Sequence, residues 1–80
     1  MNEDLMKFAN NLKMLREEQG LTLRELARKT GISRATLNEY ELATVDPSLS
    51  RVIILANFFN EDINWLVGVS KIRSLKKIAQ

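Results

Sequence analysis

The residues that follow Gly31 bring a guanidinium, hydroxyls, an amide and a carboxylate into one predicted helix over 34–42. Leu37 and Tyr40 are the apolar residues at helical spacing here, so they should point inward and leave the other side chains outside. The outward set is Ser33, Arg34, Ala35, Thr36, Asn38 and Glu39. Hydrogen-bonding groups on an exposed helix face can match the base edges in a DNA major groove.

Arg34 is the first candidate for base recognition. Its guanidinium fork matches O6 and N7 of guanine, and such a pair gives about 1–3 kcal/mol of discrimination. The alternatives are a phosphate contact and a salt bridge near Glu41 and Asn38. Ala35 and the Thr36 methyl group can pack on a thymine methyl group, although Thr36 can also bond a phosphate or its own helix backbone.

Glu39 has two opposite interpretations, because it can accept from cytosine N4 or face solvent and repel phosphates. Phosphate contacts are expected at the start of the preceding helix, where free amide N–H groups favour an anion. The candidate phosphate contacts are Thr22, Leu23, Arg24, Asn38 and Thr44.

The chain has no histidine and no cysteine. The commonest acid–base group, thiolate metal ligands and disulfides are therefore excluded. The remaining carboxylates, lysines and hydroxyls have no mutually supporting spacing, and Trp65 lacks a surrounding constellation for a small-molecule pocket. We therefore expect no enzyme activity, no metal and no cofactor.

Two short helices with a glycine between them position the polar segment. Thr22 and Glu25 have the spacing of a capping box, which predicts a helix from 23 to 29 or 30. Gly31 permits the left-handed backbone that ends this helix, and Ser33 can cap the next one. Helices joined by so few residues are typical of a helix-turn-helix, which turns one face of its second helix outward.

Periodic apolar residues predict three further helices, over 4–19, 49–59 and 63–67. Gly20 can end the first, Asp46 or Ser48 can cap the second, and Asp62 and Gly68 can bound the third. No segment reads convincingly as a strand. The predicted fold class is therefore all-α, with five helices.

Residues 1–69 should form one domain, followed by a basic tail over 70–80. An apolar stripe in this tail predicts a short amphipathic helix. The helix over 49–59 also carries apolar residues beyond its core face, so the tail is expected to dock there, within one chain or across a dimer. A frayed tail is the alternative. The candidate dimer residues are Ile54, Phe58, Trp65 and Val67.

The net charge of +2 is unevenly distributed. Arg24, Arg28, Lys29 and Arg34 lie within the two-helix motif, which suits a polyanion, although solvated helix faces would give the same pattern. No apolar run approaches the roughly 20 residues that cross a bilayer, and the N-terminus lacks a secretory signal. We expect a cytoplasmic protein with no membrane contact.

Taken in order, several stretches resemble the phage repressor/Cro-like helix-turn-helix domains, and the resemblance covers roughly residues 8–68. The stretches that carry it are LKMLREEQGLT at 12–22, ELA at 25–27, GISRATL at 31–37, YE at 40–41, DPSL at 46–49 and INWL at 63–66. The resemblance implies a five-helix fold, double-stranded DNA as the ligand and a two-fold dimer.

The chain departs from that family at three places. Leu23 stands where members often have Gln, Leu42 and Ala43 replace an Arg-Gly pair, and Glu39 replaces a basic or amide residue. The Leu42 and Ala43 changes remove a phosphate contact and an easy left-handed stop.

A sequence-specific repressor of phage or prophage type, acting as a dimer on a two-fold operator, is the function expected from these features. The alternative is a protein-interaction module on the same fold, such as an antitoxin or the partner of an anti-repressor.

Overall fold

The computed structural model of the protein describes residues 2–73, and these contain helices but no strand. The helices are α1 (Glu3–Glu18), α2 (Leu23–Thr30), α3 (Arg34–Glu41), α4 (Leu49–Phe59) and α5 (Ile63–Leu66). The all-α, five-helix prediction is confirmed, and the predicted helix ends differ from the observed ones by at most one residue. No helix in this part of the chain is long and apolar enough to cross a membrane.

Polar side chains begin α2, α3, α4 and α5 where the sequence indicated, and Asn2, which was not predicted as a cap, begins α1. Thr22 and Glu25 form the capping box, with Glu25 N–H donating to Thr22 Oγ1 at 3.0 Å and Thr22 N–H donating to Glu25 Oε1 at 2.8 Å. Asp62 caps α5. Of the two candidates before α4, Ser48 is the cap, because its hydroxyl accepts from Arg51 N–H. Each cap satisfies an amide that the helix itself leaves without a partner.

Leucines from all five helices meet in one core. The largest side chains without exposed surface are Leu12, Leu26, Leu37, Leu55 and Leu66. Phe8 and Tyr40 add an edge-to-face ring contact between α1 and α3, with centroids 5.8 Å apart. Because Leu37 and Tyr40 are buried, the opposite face of α3 is turned away from the core, as predicted.

An ion pair joins the middle of the chain to its amino-terminal helix. Arg16 donates to both carboxylate oxygens of Glu41, at 2.7 and 3.0 Å, and its third contact is the Leu21 carbonyl at 2.8 Å. The side chains of Arg16 and Glu41 are 14% and 7% exposed. The hydrogen bond with Glu41 raises the pKa of Arg16. The sequence suggested Arg34 as a neighbour for Glu41, but the observed partner is Arg16.

Helix α3 ends in a left-handed residue that is not glycine. Ala43 has φ 59°. Its N–H donates to the Tyr40 carbonyl, and Thr44 N–H donates to the Glu39 carbonyl, which is the Schellman pattern. The Schellman motif therefore forms without a glycine. The left-handed conformation of Ala43 costs about 1–3 kcal/mol of folding free energy.

The chain beyond α5 returns to the domain through Arg73. Its guanidinium donates to Glu18 at 3.0 and 3.1 Å and to Glu61 at 2.8 Å, and it lies 4.7 Å from the centroid of the Trp65 ring. Residues 70–73 are not helical. Most of the predicted tail helix, residues 74–80, lies outside the described residues, so its docking stays a prediction.

We predict that Glu41→Leu lowers the free energy of unfolding by about 3 kcal/mol, because it leaves the part-buried Arg16 charge unpaired. The double variant Arg16→Met/Glu41→Leu should recover much of this loss. Glu39→Leu, on the exposed face of the same helix, is the control and should change stability by less than about 0.5 kcal/mol. Urea unfolding measures all three. If Glu41→Leu and Glu39→Leu lowered the free energy of unfolding equally, the stabilising role given to the ion pair would be contradicted.

We also predict that Ala43→Gly raises the free energy of unfolding by about 0.5–1 kcal/mol, because glycine adopts the left-handed conformation without a steric penalty. The same substitution at Ala35, inside α3, should lower it by about 0.5–1 kcal/mol. Thermal unfolding of both variants provides the comparison. A decrease at both positions would mean that the Ala43 backbone carries no strain that glycine relieves.

Candidate nucleic-acid interface

Helices α2 and α3 are joined by a three-residue turn over 31–33. Gly31 has φ 78°, and its N–H donates to the Ala27 carbonyl at 2.9 Å. Ile32 is buried in the core, and its N–H donates to the Thr30 hydroxyl at 3.3 Å. The turn is therefore anchored by an apolar side chain and local hydrogen bonds, and it gives α3 a defined direction relative to α2.

The outer face of α3 is open. Ser33, Arg34, Ala35, Asn38 and Glu39 are exposed, and Thr36 is half-buried. The structure thus brings the predicted base-reading residues together on one side of one helix. These are the positions from which short and long polar side chains can reach base edges when a helix lies in a major groove.

Ser33 and Thr36 are engaged with each other. The Ser33 hydroxyl donates to Thr36 Oγ1 at 2.8 Å and accepts from Thr36 N–H at 3.1 Å. A serine hydroxyl has one donor, so Ser33 has none left for DNA while this cap holds. The Thr36 hydroxyl accepts this bond and keeps its own donor, and the side chains of Arg34, Ala35, Asn38 and Glu39 complete the exposed set.

The start of α2 leaves two amides available. The capping box uses the N–H groups of Thr22 and Glu25. No hydrogen bond within the described residues uses those of Leu23 and Arg24, which therefore remain available to an anion such as a phosphate. The hydrogen bonds from Thr22 lower the pKa of Glu25, the one from the backbone contributing most and the one from the side chain next, which favours the charged carboxylate that accepts in the capping box.

Arg24 and Arg34, two positive charges of the helix-turn-helix, form no salt bridge with residues 2–73. The salt bridges found among residues 2–73 are made by Arg16 and Arg73, which leaves Arg24 and Arg34 for an external partner. Arg16 also neutralises Glu41, so this acid does not oppose a phosphate near α3. Thr44, the loop candidate, is exposed, but its hydroxyl donates to the Glu39 carbonyl at 3.2 Å.

An open concavity of about 400 Å³ lies between the first residue of α2 and the outer face of α3. Its lining residues are Leu23, Arg34, Ala35 and Asn38. Leu23 is half-buried and packs against the core, whereas Ala35 is exposed. Leu23 and Ala35 thus form the apolar part of the lining, and Arg34 and Asn38 add a guanidinium and an amide.

The four candidate dimer residues do not share one environment. Ile54 and Phe58 are exposed on α4, at 40% and 38%. Val67 is half-buried. Trp65 is 6% exposed and lies beneath Arg73, so its ring belongs to the interior of the chain. Ile54 and Phe58 therefore offer more surface to a partner than the α5 residues do.

Two ion pairs of the structure could not be predicted from the local sequence pattern. The Arg16–Glu41 pair joins residues 25 positions apart, and the Arg73 contacts with Glu18 span 55 positions. Charge signs alone permit many such pairs. Their selection depends on how α1 lies against α3 and α5.

Comparison with known proteins agrees with this geometry. The helix-turn-helix family HTH_3 matches residues 12–66, from the middle of α1 to the end of α5. The chain belongs to this family. The matched region includes both helices of the motif, the turn between them and the Arg16–Glu41 pair.

Relatives of this family member are named as regulators, and one is an antitoxin. The chain is 29% identical over 63 residues to the uncharacterised HTH-type transcriptional regulator YobD of Bacillus subtilis, covering 79% of this chain and 56% of YobD. It is 39% identical over 64 residues to the antitoxin PezA of Streptococcus pneumoniae, covering 80% of this chain and 40% of PezA. The chain thus spans about half the length of these curated relatives.

A solved structure has the same fold. The crystal structure of an HTH_3 family transcriptional regulator from Vibrio cholerae superposes with a TM-score of 0.70 at 28% identity, covering 84% of this chain and 39% of the other. The five-helix arrangement is therefore that of a known regulator domain.

Proposed function

We propose that this protein is a sequence-specific, double-stranded-DNA-binding transcriptional regulator, of the phage or prophage repressor type, that acts in the cytoplasm. One observation carries the proposal. The outer face of α3 presents Arg34, Ala35, Asn38 and Glu39 to solvent while Leu37 and Tyr40 hold its inner face in the core. An exposed polar helix face with a rigid support is what readout in a major groove requires.

In this proposal α3 lies in the major groove and α2 lies across the backbone. The free amides of Leu23 and Arg24 bind a phosphate, and the side chains of Arg24 and Asn38 add donors. Arg34 reads O6 and N7 of a guanine. The phosphate contacts set the register of α3, and the Arg34 contact supplies sequence information.

The regulator would act as a homodimer on a two-fold operator, with half-sites one DNA turn, about 34 Å, apart. The exposed Ile54 and Phe58 on α4 are the proposed dimer contacts, because burying them removes apolar surface from water. A dimer bound over a promoter would block or reposition the polymerase.

A second candidate is a protein-interaction module, favoured by the 39% identity with the antitoxin PezA. In that case the same α4 surface would bind a different protein instead of a second copy. DNA binding through α3 and protein binding through α4 use separate surfaces of the domain.

We predict that Arg34→Ala weakens binding to the preferred duplex by about 1–3 kcal/mol and relaxes specificity at one base pair. The duplex is obtained by selection from random sequences with the purified chain, and affinities are measured by fluorescence anisotropy. Lys13→Ala, on the exposed side of α1, is the control and should change affinity little. Equal affinities for Arg34→Ala and Lys13→Ala would mean that Arg34 does not recognise a base. If the wild-type chain bound no duplex in dilute buffer, the proposed regulator function would be refuted.

The dimer is tested by Phe58→Asp, which places a charge on the α4 surface. We predict a change from dimer mass to monomer mass in sedimentation equilibrium, because an aspartate at the centre of an apolar contact loses its hydration. Met6→Asp, at another exposed apolar position on α1, should keep the dimer mass. A wild-type chain that sediments as a monomer would instead support the protein-interaction alternative.

A further inference from the structure

We propose that the concavity between α2 and α3 recognises the 5-methyl group of a thymine, with Leu23 as the residue that determines this specificity. The inference rests on the proposed function, because it assigns a ligand to one part of the DNA-binding surface. It goes beyond readout by Arg34, since the selected group is apolar and the selecting residue is the first residue of α2.

The chemistry of the lining limits what can occupy the concavity. Leu23 and Ala35 present carbon atoms, and Arg34 and Asn38 stand beside them. Among the groups that the four base pairs expose in the major groove, the thymine methyl is the apolar one. An oxygen or nitrogen atom of another base that lay against Leu23 and Ala35 would lose hydrogen bonds to water.

The side chains of Leu23 and Ala35 are also preorganised. Leu23 is half-buried and packed against the core, which restricts its side chain before DNA arrives, and the Ala35 side chain has no rotamers to lose. A methyl group that contacts both residues therefore has a small ordering cost on the protein side. A flexible exposed side chain at position 23 would not provide this.

The position of Arg34 predicts where in the operator the recognised thymine lies. Arg34 lines the same concavity and precedes Ala35 in α3, so the base read by its guanidinium lies beside the occupant of the concavity. The preferred duplex should therefore contain a thymine next to the guanine contacted by Arg34, once in each half-site.

The test replaces thymine by uracil, one position at a time, in the duplex selected by the purified full chain. This change removes only the 5-methyl group and leaves the hydrogen-bonding edges of the base pair intact. We expect one position per half-site at which uracil weakens binding about three- to tenfold, the effect of burying one methyl group, with little change at the other thymines.

Variants connect the effect to the concavity. Leu23→Ala should bring the thymine-to-uracil ratio at that position close to one, and Ala35→Ser, at an exposed position, should also reduce it. Leu49→Ala, an exposed leucine on α4, is the control and should keep the wild-type ratio. Circular dichroism verifies that each variant is folded.

The outcomes separate the inference from the function on which it rests. Specific binding in which no uracil substitution matters, or a thymine-to-uracil ratio unchanged in Leu23→Ala, overturns the methyl-recognition proposal and leaves the regulator standing. Failure to select any preferred duplex overturns both.

Discussion

The guanidinium of Arg16 holds three parts of the chain in one place: α1, the turn before α2, and the last residue of α3. Its contacts with Glu41 and the Leu21 carbonyl are made in a region with little solvent, where an unpaired charge is costly and a paired one is fixed in geometry. The start of α2 and the outer face of α3 therefore have a defined relation before any ligand binds. Recognition of a rigid duplex depends on that relation, because phosphate contacts made by one helix set the register of the other.

Some polar side chains of the helix-turn-helix make hydrogen bonds within the domain, whereas others remain available to a ligand. Ser33 and Thr36 bond each other, Thr44 bonds the end of α3, and Glu25 stays within the capping box. Arg24 and Arg34 have no ion-pair partner among residues 2–73. Short hydroxyl and carboxylate side chains thus make the internal hydrogen bonds of the helix-turn-helix, while the long side chains of Arg24 and Arg34 are exposed to solvent.

Two departures from the usual family pattern have different physical consequences. Ala43 keeps the left-handed end of α3 because two backbone hydrogen bonds and the packing around it outweigh the steric penalty of its methyl group. Leu23 places an apolar side chain, where family members often have an amide, at the edge of the proposed DNA-binding surface. The first change affects stability and leaves the geometry in place, whereas the second changes the chemistry that the surface offers.

The sequence by itself determined the five helices, the caps of α2, α3 and α5, and the outward face of α3. These features depend on interactions between residues a few positions apart: Thr22 with Glu25, Ser33 with Thr36, and the inward spacing of Leu37 and Tyr40. Tertiary structure decided which of several possible partners Glu41 takes, that Trp65 lies inside beneath Arg73, and that Leu23 and Ala35 share one concavity. Those outcomes depend on the packing of helices distant in sequence, and charge signs and periodicity leave many such arrangements equally open.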